Sequence, residues 1–110
     1  MKPYIITNQE FLKFFSKLKP KNKFKLIASL TKEQINTISE ICKNFLSKNL
    51  TQDPSIIKKV KQSKKEIKDI ALKKTPLYKK KAILQTRKGG FILNVLLPLA
   101  ASVLTSLIRT

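Results

Sequence analysis

The run Arg87-Lys88-Gly89-Gly90-Phe91-Ile92-Leu93-Asn94-Val95-Leu96-Leu97-Pro98-Leu99-Ala100-Ala101-Ser102-Val103-Leu104-Thr105-Ser106-Leu107-Ile108 divides the chain into two kinds of material. The part before the glycine pair is rich in lysine. The part after it, from Phe91 to Ile108, carries no charge. Gly89 and Gly90 are the only 2 glycines present, and they stand at the switch. Two residues without a Cβ let a chain bend sharply or lie extended in a narrow cleft, so the pair reads as a hinge. As a helix the uncharged run is about 27 Å long at 1.5 Å per residue. Three readings of it stay open: a helix lying in a membrane interface, a spanning segment that pairs with another, and a buried core helix. Asn94, Pro98, Ser102, Thr105 and Ser106 form a small or polar stripe along it, and Pro98 predicts a kink near Leu97. Phe91, Leu93, Leu96, Leu97, Leu104, Leu107 and Ile108 are its expected contacts with a membrane or a partner.

Working outward, 110 residues suffice for one small domain. The 24 Lys and Arg against 6 Asp and Glu give a net charge of +18. Such an excess attracts nucleic acid or anionic lipid. Nearly all of it is lysine, a hydrated point charge that tracks phosphates rather than reading base edges. There is no His, which removes the usual proton shuttle, and the single Cys42 allows neither an internal disulfide nor a zinc site. Cys42 falls on the apolar face of a predicted helix, as a small buried hydrophobe. The acids form no pair or cluster and no phosphate-binding loop occurs. The sequence therefore predicts a protein that is not an enzyme, with no cofactor and no metal.

Periodicity predicts an all-α chain: a small amphipathic bundle of about three to four helices with a long basic helix and a hydrophobic C-terminal helix. The chain divides into three regions: 1–50, amphipathic and helical; 51–88, a lysine-rich helix and linker; 89–110, the hinge and tail. Residues 1–7 read as extended, without the core of a secretory signal. Asn8 is placed to cap a first helix whose stripe is Phe11, Phe14, Phe15 and Leu18. Pro20 ends that helix, and Asn22 caps a short second one with Phe24, Ile27, Ala28 and Leu30 on its apolar side. Thr31-Lys32-Glu33-Gln34 matches a capping box. The helix after it shows the cleanest spacing: Ile35, Ile38, Ile41, Cys42, Phe45 and Leu46. Asp53-Pro54 predicts an N-cap with Pro in the first turn of a fourth helix that runs to about Lys74, with Ile56, Val60, Ile67 and Ala71 on one face. Thr75-Pro76 ends it. The stretch from Pro76 to Lys81 reads as a loop or a short helix.

Between Lys58 and Lys88 stand thirteen basic residues, opposed only by Glu66 and Asp69. They are Lys58, Lys59, Lys61, Lys64, Lys65, Lys68, Lys73, Lys74, Lys79, Lys80, Lys81, Arg87 and Lys88, and they are the candidate phosphate contacts for non-specific binding of double-stranded DNA.

The run from Arg87 to Ala101 resembles the C-terminal part of the adenoviral core protein precursor pX, the precursor of mu. The chain as a whole is similar to small basic proteins of Maverick/Polinton elements and adintoviruses. Shared features are an amphipathic helical N-terminal half, a lysine-rich middle, a basic-Gly-Gly-Phe junction and a Leu-Pro tail. The resemblance implies a DNA-condensing virion core or minor capsid protein, found in the host nucleus or cytoplasm during assembly, with capsid proteins or an anionic membrane as further partners. It also implies cleavage by an adenovirus-like cysteine protease between Gly90 and Phe91, with Gly89 completing the site. The family's sites carry a large aliphatic residue three positions before the last glycine, where this chain has Arg87. The adenoviral peptide is rich in arginine, and this chain in lysine. A second class of function is a C-terminally anchored or membrane-active basic protein, its lysines beside anionic headgroups.

Overall fold

The computed structural model describes residues 9–47 and 52–100, and among them every regular element is helical. The helices are α1 (Gln9–Lys17), α2 (Pro20–Leu26) with a 3-10 turn at Ile27–Ser29, α3 (Lys32–Ser47), α4 (Pro54–Gln62), α5 (Lys64–Ala71), α6 (Leu77–Leu84) and α7 (Arg87–Phe91). A π-helical segment, Ile92–Leu96, carries α7 onward, and the helix resumes over 97–100. The all-α expectation holds. The number of helices does not: seven are present among the described residues in place of three to four.

The extra helices have local causes. Pro20 starts α2 rather than merely ending α1, because its fixed φ suits a first helical position and its missing N–H costs nothing there. Asn22 therefore sits inside the helix and does not cap it. The long basic helix is two helices, divided at Ser63 (φ −104°, ψ 14°). The Ser63 N–H donates to Lys59 O at 3.0 Å and the Ile67 N–H to Ser63 O at 3.0 Å, so the break is a bend with its hydrogen bonds kept. The bend turns Ile67 and Ile70 fully into the core, while Ile56 and Val60 reach only its edge. Pro76 begins α6 in the stretch that admitted either a loop or a helix.

Two further caps read from the sequence can be checked. Thr31 N–H donates to Gln34 Oε1 (2.9 Å) and Gln34 N–H to Thr31 Oγ1 (3.1 Å), the reciprocal pair of a capping box. Asp53 Oδ1 accepts from the Ser55 N–H and hydroxyl at 2.9 and 2.8 Å, which holds its carboxyl below the usual range. The Asn8 cap lies outside the described residues.

The core gathers around α3, whose Ile35, Ile38, Ile41 and Cys42 are wholly buried. Helix α5 packs along α3 more extensively than any other helix of the described fold. The stripe of α1 differs from expectation: Leu12 and Phe15 are buried, Phe11 lies 5.4 Å from Phe15 ring to ring, and Phe14 is 61% exposed. Phe24 is exposed as well, and its neighbour Lys23 takes the inward position.

The glycine pair is the largest revision. Gly89 and Gly90 lie within α7, not at a bend. Thr86 caps that helix, its Oγ1 accepting the Gly89 N–H at 3.2 Å. Gly89 is buried where α7 crosses the end of α6, and a Cβ there would run into the Ile83 carbonyl oxygen and the Leu84 backbone. At Gly90 a Cβ fits, its nearest neighbour being Asn94 Nδ2 at 3.9 Å, an ordinary van der Waals contact. Gly89→Ala is therefore expected to cost about 1–3 kcal/mol or more, because the obstruction is backbone and cannot rotate away. Gly90→Ala is expected to stabilise by about 0.5–1 kcal/mol through helix propensity. Urea midpoints of the two variants against the parent measure both signs.

Candidate nucleic-acid interface

Helices α4 and α5 turn their apolar residues inward, and periodicity leaves the lysines outside. Lys58, Lys59, Lys61, Lys64, Lys65 and Lys68 are all exposed, and Lys73, Lys74 and Lys79 extend the set toward α6. The described ion pairs are Lys13–Glu10 (3.9 Å) and Lys88–Glu66 (3.3 Å), so none of these nine ammoniums is neutralised by a described carboxylate. Arg87 is exposed too.

Three of the predicted contacts stand elsewhere. Lys80 is buried, its Nζ donating to Ser39 Oγ at 2.9 Å. The reason is geometric. Consecutive residues Lys79, Lys80 and Lys81 point about 100° apart on a helix, so they do not share one face, and Lys80 lies on that of buried Leu84, one turn on. Lys81 is half-buried and donates to Ala28 O at 2.8 Å, tying α6 to the 3-10 turn. Lys88 is exposed but engaged, reaching Gln62 O and Glu66 Oε1, each at 3.3 Å. It pins the first turn of α7 to α4 and α5.

Lys32 and Lys43 are not among the predicted contacts. They project from the outer face of α3, and the dense lysine run of the sequence begins only beyond that helix. With Lys73 they edge three adjoining depressions between α3 and the α5–α6 region, of about 330, 430 and 340 Å³. Lys64 and Lys68 line one end of this groove, and Lys74 with Leu77 the other. Glu40 is the sole carboxylate on its walls.

The tail residues named as membrane or partner contacts divide. Ile92, Leu93, Leu96, Leu97 and Ala100 are buried in the core, and Phe91 is half-buried against it. Leu93, Leu96 and Leu97 are thus engaged within the domain, while Leu104, Leu107 and Ile108 lie outside the described residues. No helix among the described residues is long and apolar enough to cross a membrane. The π segment shows how Pro98 is accommodated. The Leu97 N–H donates five residues back to Ile92 O, and Pro98 has no N–H to offer Leu93 O. Lys23 Nζ, from α2, fills that place at 3.2 Å.

Cys42 is fully buried, its thiol pushed up to about 12 by that burial while the nearby Lys80 ammonium pulls the other way. No three His, Cys, Asp or Glu side chains among the described residues come together to hold a metal. Comparison with known proteins returns no matching family model, no matching curated protein and no matching solved structure.

These placements have two measurable consequences. Burial lowers the pKa of both Lys23 and Lys80 from the ordinary 10.5. As pH approaches that value from below, the unfolded chain holds more protons than the folded one, so stability rises with pH through the window. Urea midpoints measured from about pH 7 to about pH 10 should climb, and the climb should be shallower in Lys23→Met/Lys80→Met. Separately, the Gly90–Phe91 bond lies in a helix with Gly89 buried behind it. A protease that needs an extended backbone should leave the native chain whole and cut there only as α7 opens. Gly89→Ala, by loosening that docking, should speed the cut in a timed digest.

Proposed function

We propose that this chain is a non-enzymatic DNA-associated protein that neutralises and condenses duplex DNA through lysine–phosphate contacts without reading its sequence. The observation that carries the reading is the exposed row Lys58, Lys59, Lys61, Lys64, Lys65 and Lys68, free of described carboxylate partners on two successive helices. Lysine presents a mobile point charge there, with no planar fork to match a guanine edge. The groove beside α3 adds Lys32, Lys43 and Lys73 to the same field. The resemblance of the Arg87–Ala101 run to the adenoviral core precursor supports a narrower reading, a core or minor capsid protein of a virus or virus-derived element.

The burial of the tail's described residues bears on how such a protein works. Ile92, Leu93, Leu96 and Leu97 together contribute about 6–12 kcal/mol of burial, at about 1.5–3 kcal/mol each, before entropy is subtracted. That is comparable with the whole stability of a small domain, about 5–15 kcal/mol. The DNA-binding form is accordingly the uncut chain, and cleavage after Gly90 would end the fold rather than mature it.

Lysine-to-glutamine replacement tests the reading without cutting the core. The parent should bind unrelated duplexes of equal length with equal affinity and a steep salt dependence. Replacing Lys58, Lys59, Lys61, Lys64, Lys65 and Lys68 together should flatten the slope of log K against log salt by about 3–5 units. An unchanged slope in a folded variant refutes the assignment.

A further inference from the structure

The central depression beside α3, of about 330 Å³, has a feature that surface lysines lack. Lys80 lines it, yet is only 5% exposed. A buried ammonium normally sits against a carboxylate, because its desolvation is otherwise uncompensated. Lys80 has none among the described residues: its described partner is Ser39 Oγ, a neutral oxygen. The Ser39 hydroxyl donates its own proton to Ile35 O (3.0 Å), so its oxygen can only accept. Two of the three Lys80 N–H bonds are left for another acceptor. Lys32, Lys43 and Lys73 line the same cavity, and the Asn36 amide offers further donors. Among the described residues of its wall, Glu40 is the one carboxylate beside these lysines. The volume holds roughly ten waters at about 30 Å³ each, ample for a tetrahedral oxyanion with part of its hydration shell.

We propose that this cavity is a seat for a single phosphate group, held by the buried Lys80 ammonium and closed over by Lys32 and Lys73. The seat is separate from the exposed row, since Lys58, Lys59, Lys61 and Lys65 take no part in its walls. An anion there supplies the counter-charge that the fold omits. It also favours the charged form of Lys80, which burial disfavours. The ligand chemistry is a phosphate oxyanion, whether free, at the end of a nucleotide chain, or within its backbone.

Inorganic phosphate is the probe. Titrated into the full chain at constant ionic strength against chloride, it should raise Tm along a saturating curve. Lys80→Met should fold, since it replaces a buried charge by an apolar chain of similar length, and should lose the phosphate-specific rise. The exposed pair Lys32→Ala/Lys73→Ala should weaken the apparent phosphate Kd about tenfold or more. Competition then locates the source. If phosphate displaces a 5′-phosphorylated oligonucleotide but not its unphosphorylated twin, the seat takes a terminal monoester. If both are displaced alike, it takes a backbone diester. Equal Tm in phosphate and chloride, or a phosphate response undiminished in both variants, overturns the seat. The glutamine variant of the exposed row should keep the phosphate response. Steep, salt-dependent DNA binding without any phosphate response would leave the DNA reading standing and remove only this one.

Discussion

The fold depends on one close approach. Where α7 passes the end of α6, the two backbones come near enough that only a hydrogen fits on Gly89. That proximity sets the direction in which the chain leaves the crossing, and it carries Ile92, Leu93, Leu96 and Leu97 into the core cluster that residues of α3 and α5 also form. Thr86 fixes the start of α7 and Lys88 ties its first turn to Glu66 and Gln62, so the crossing is held from both sides. The described part of the tail, up to Ala100, thereby becomes a closing element of the domain instead of a separate device.

A second constraint comes from charge. A domain at +18 repels itself, and the fold answers by spreading most lysines over its outer surface. Two lie inside. Lys23 replaces the N–H that Pro98 lacks, donating to Leu93 O from a helix 70 residues away in sequence. Lys80 bridges α6 to α3 through Ser39. These buried ammoniums act as hydrogen-bond donors, and their desolvation weighs against the stability of the charged fold.

How much of this was legible depended on whether the cause was local. The capping box at Thr31–Gln34, the Asp53 cap, the Pro54 start and the face of α3 from Ile35 to Phe45 are written in neighbouring residues and read correctly, while Leu46, assigned to the same face, is exposed. The exposure of Lys58 through Lys68 followed from the inward set Ile67 and Ile70. The break at Ser63 was not legible, because the Lys61–Lys65 stretch is polar throughout and gives no period to interrupt. Gly89 misled for a related reason: a missing Cβ serves a bend and a tight crossing equally well, and the partner that decides is backbone from Ile83 and Leu84. Lys80 reads as a phosphate contact from its chemistry, and nothing near Lys23 in sequence marks it as inward. A bare carbonyl and a serine oxygen draw them in, supplied by elements distant in sequence.

The bond from Lys23 to Leu93 sets an order of events during synthesis. At about 5–20 residues per second, the 70 positions between donor and acceptor correspond to roughly 4–14 s of translation. Through that interval the core to which the isoleucines of α3 and α5 belong lacks Ile92, Leu93, Leu96 and Leu97. Like-charged chains keep one another at a distance meanwhile. The polycation thus guards a nascent chain whose core is finished late, a duty independent of whatever anion it later meets.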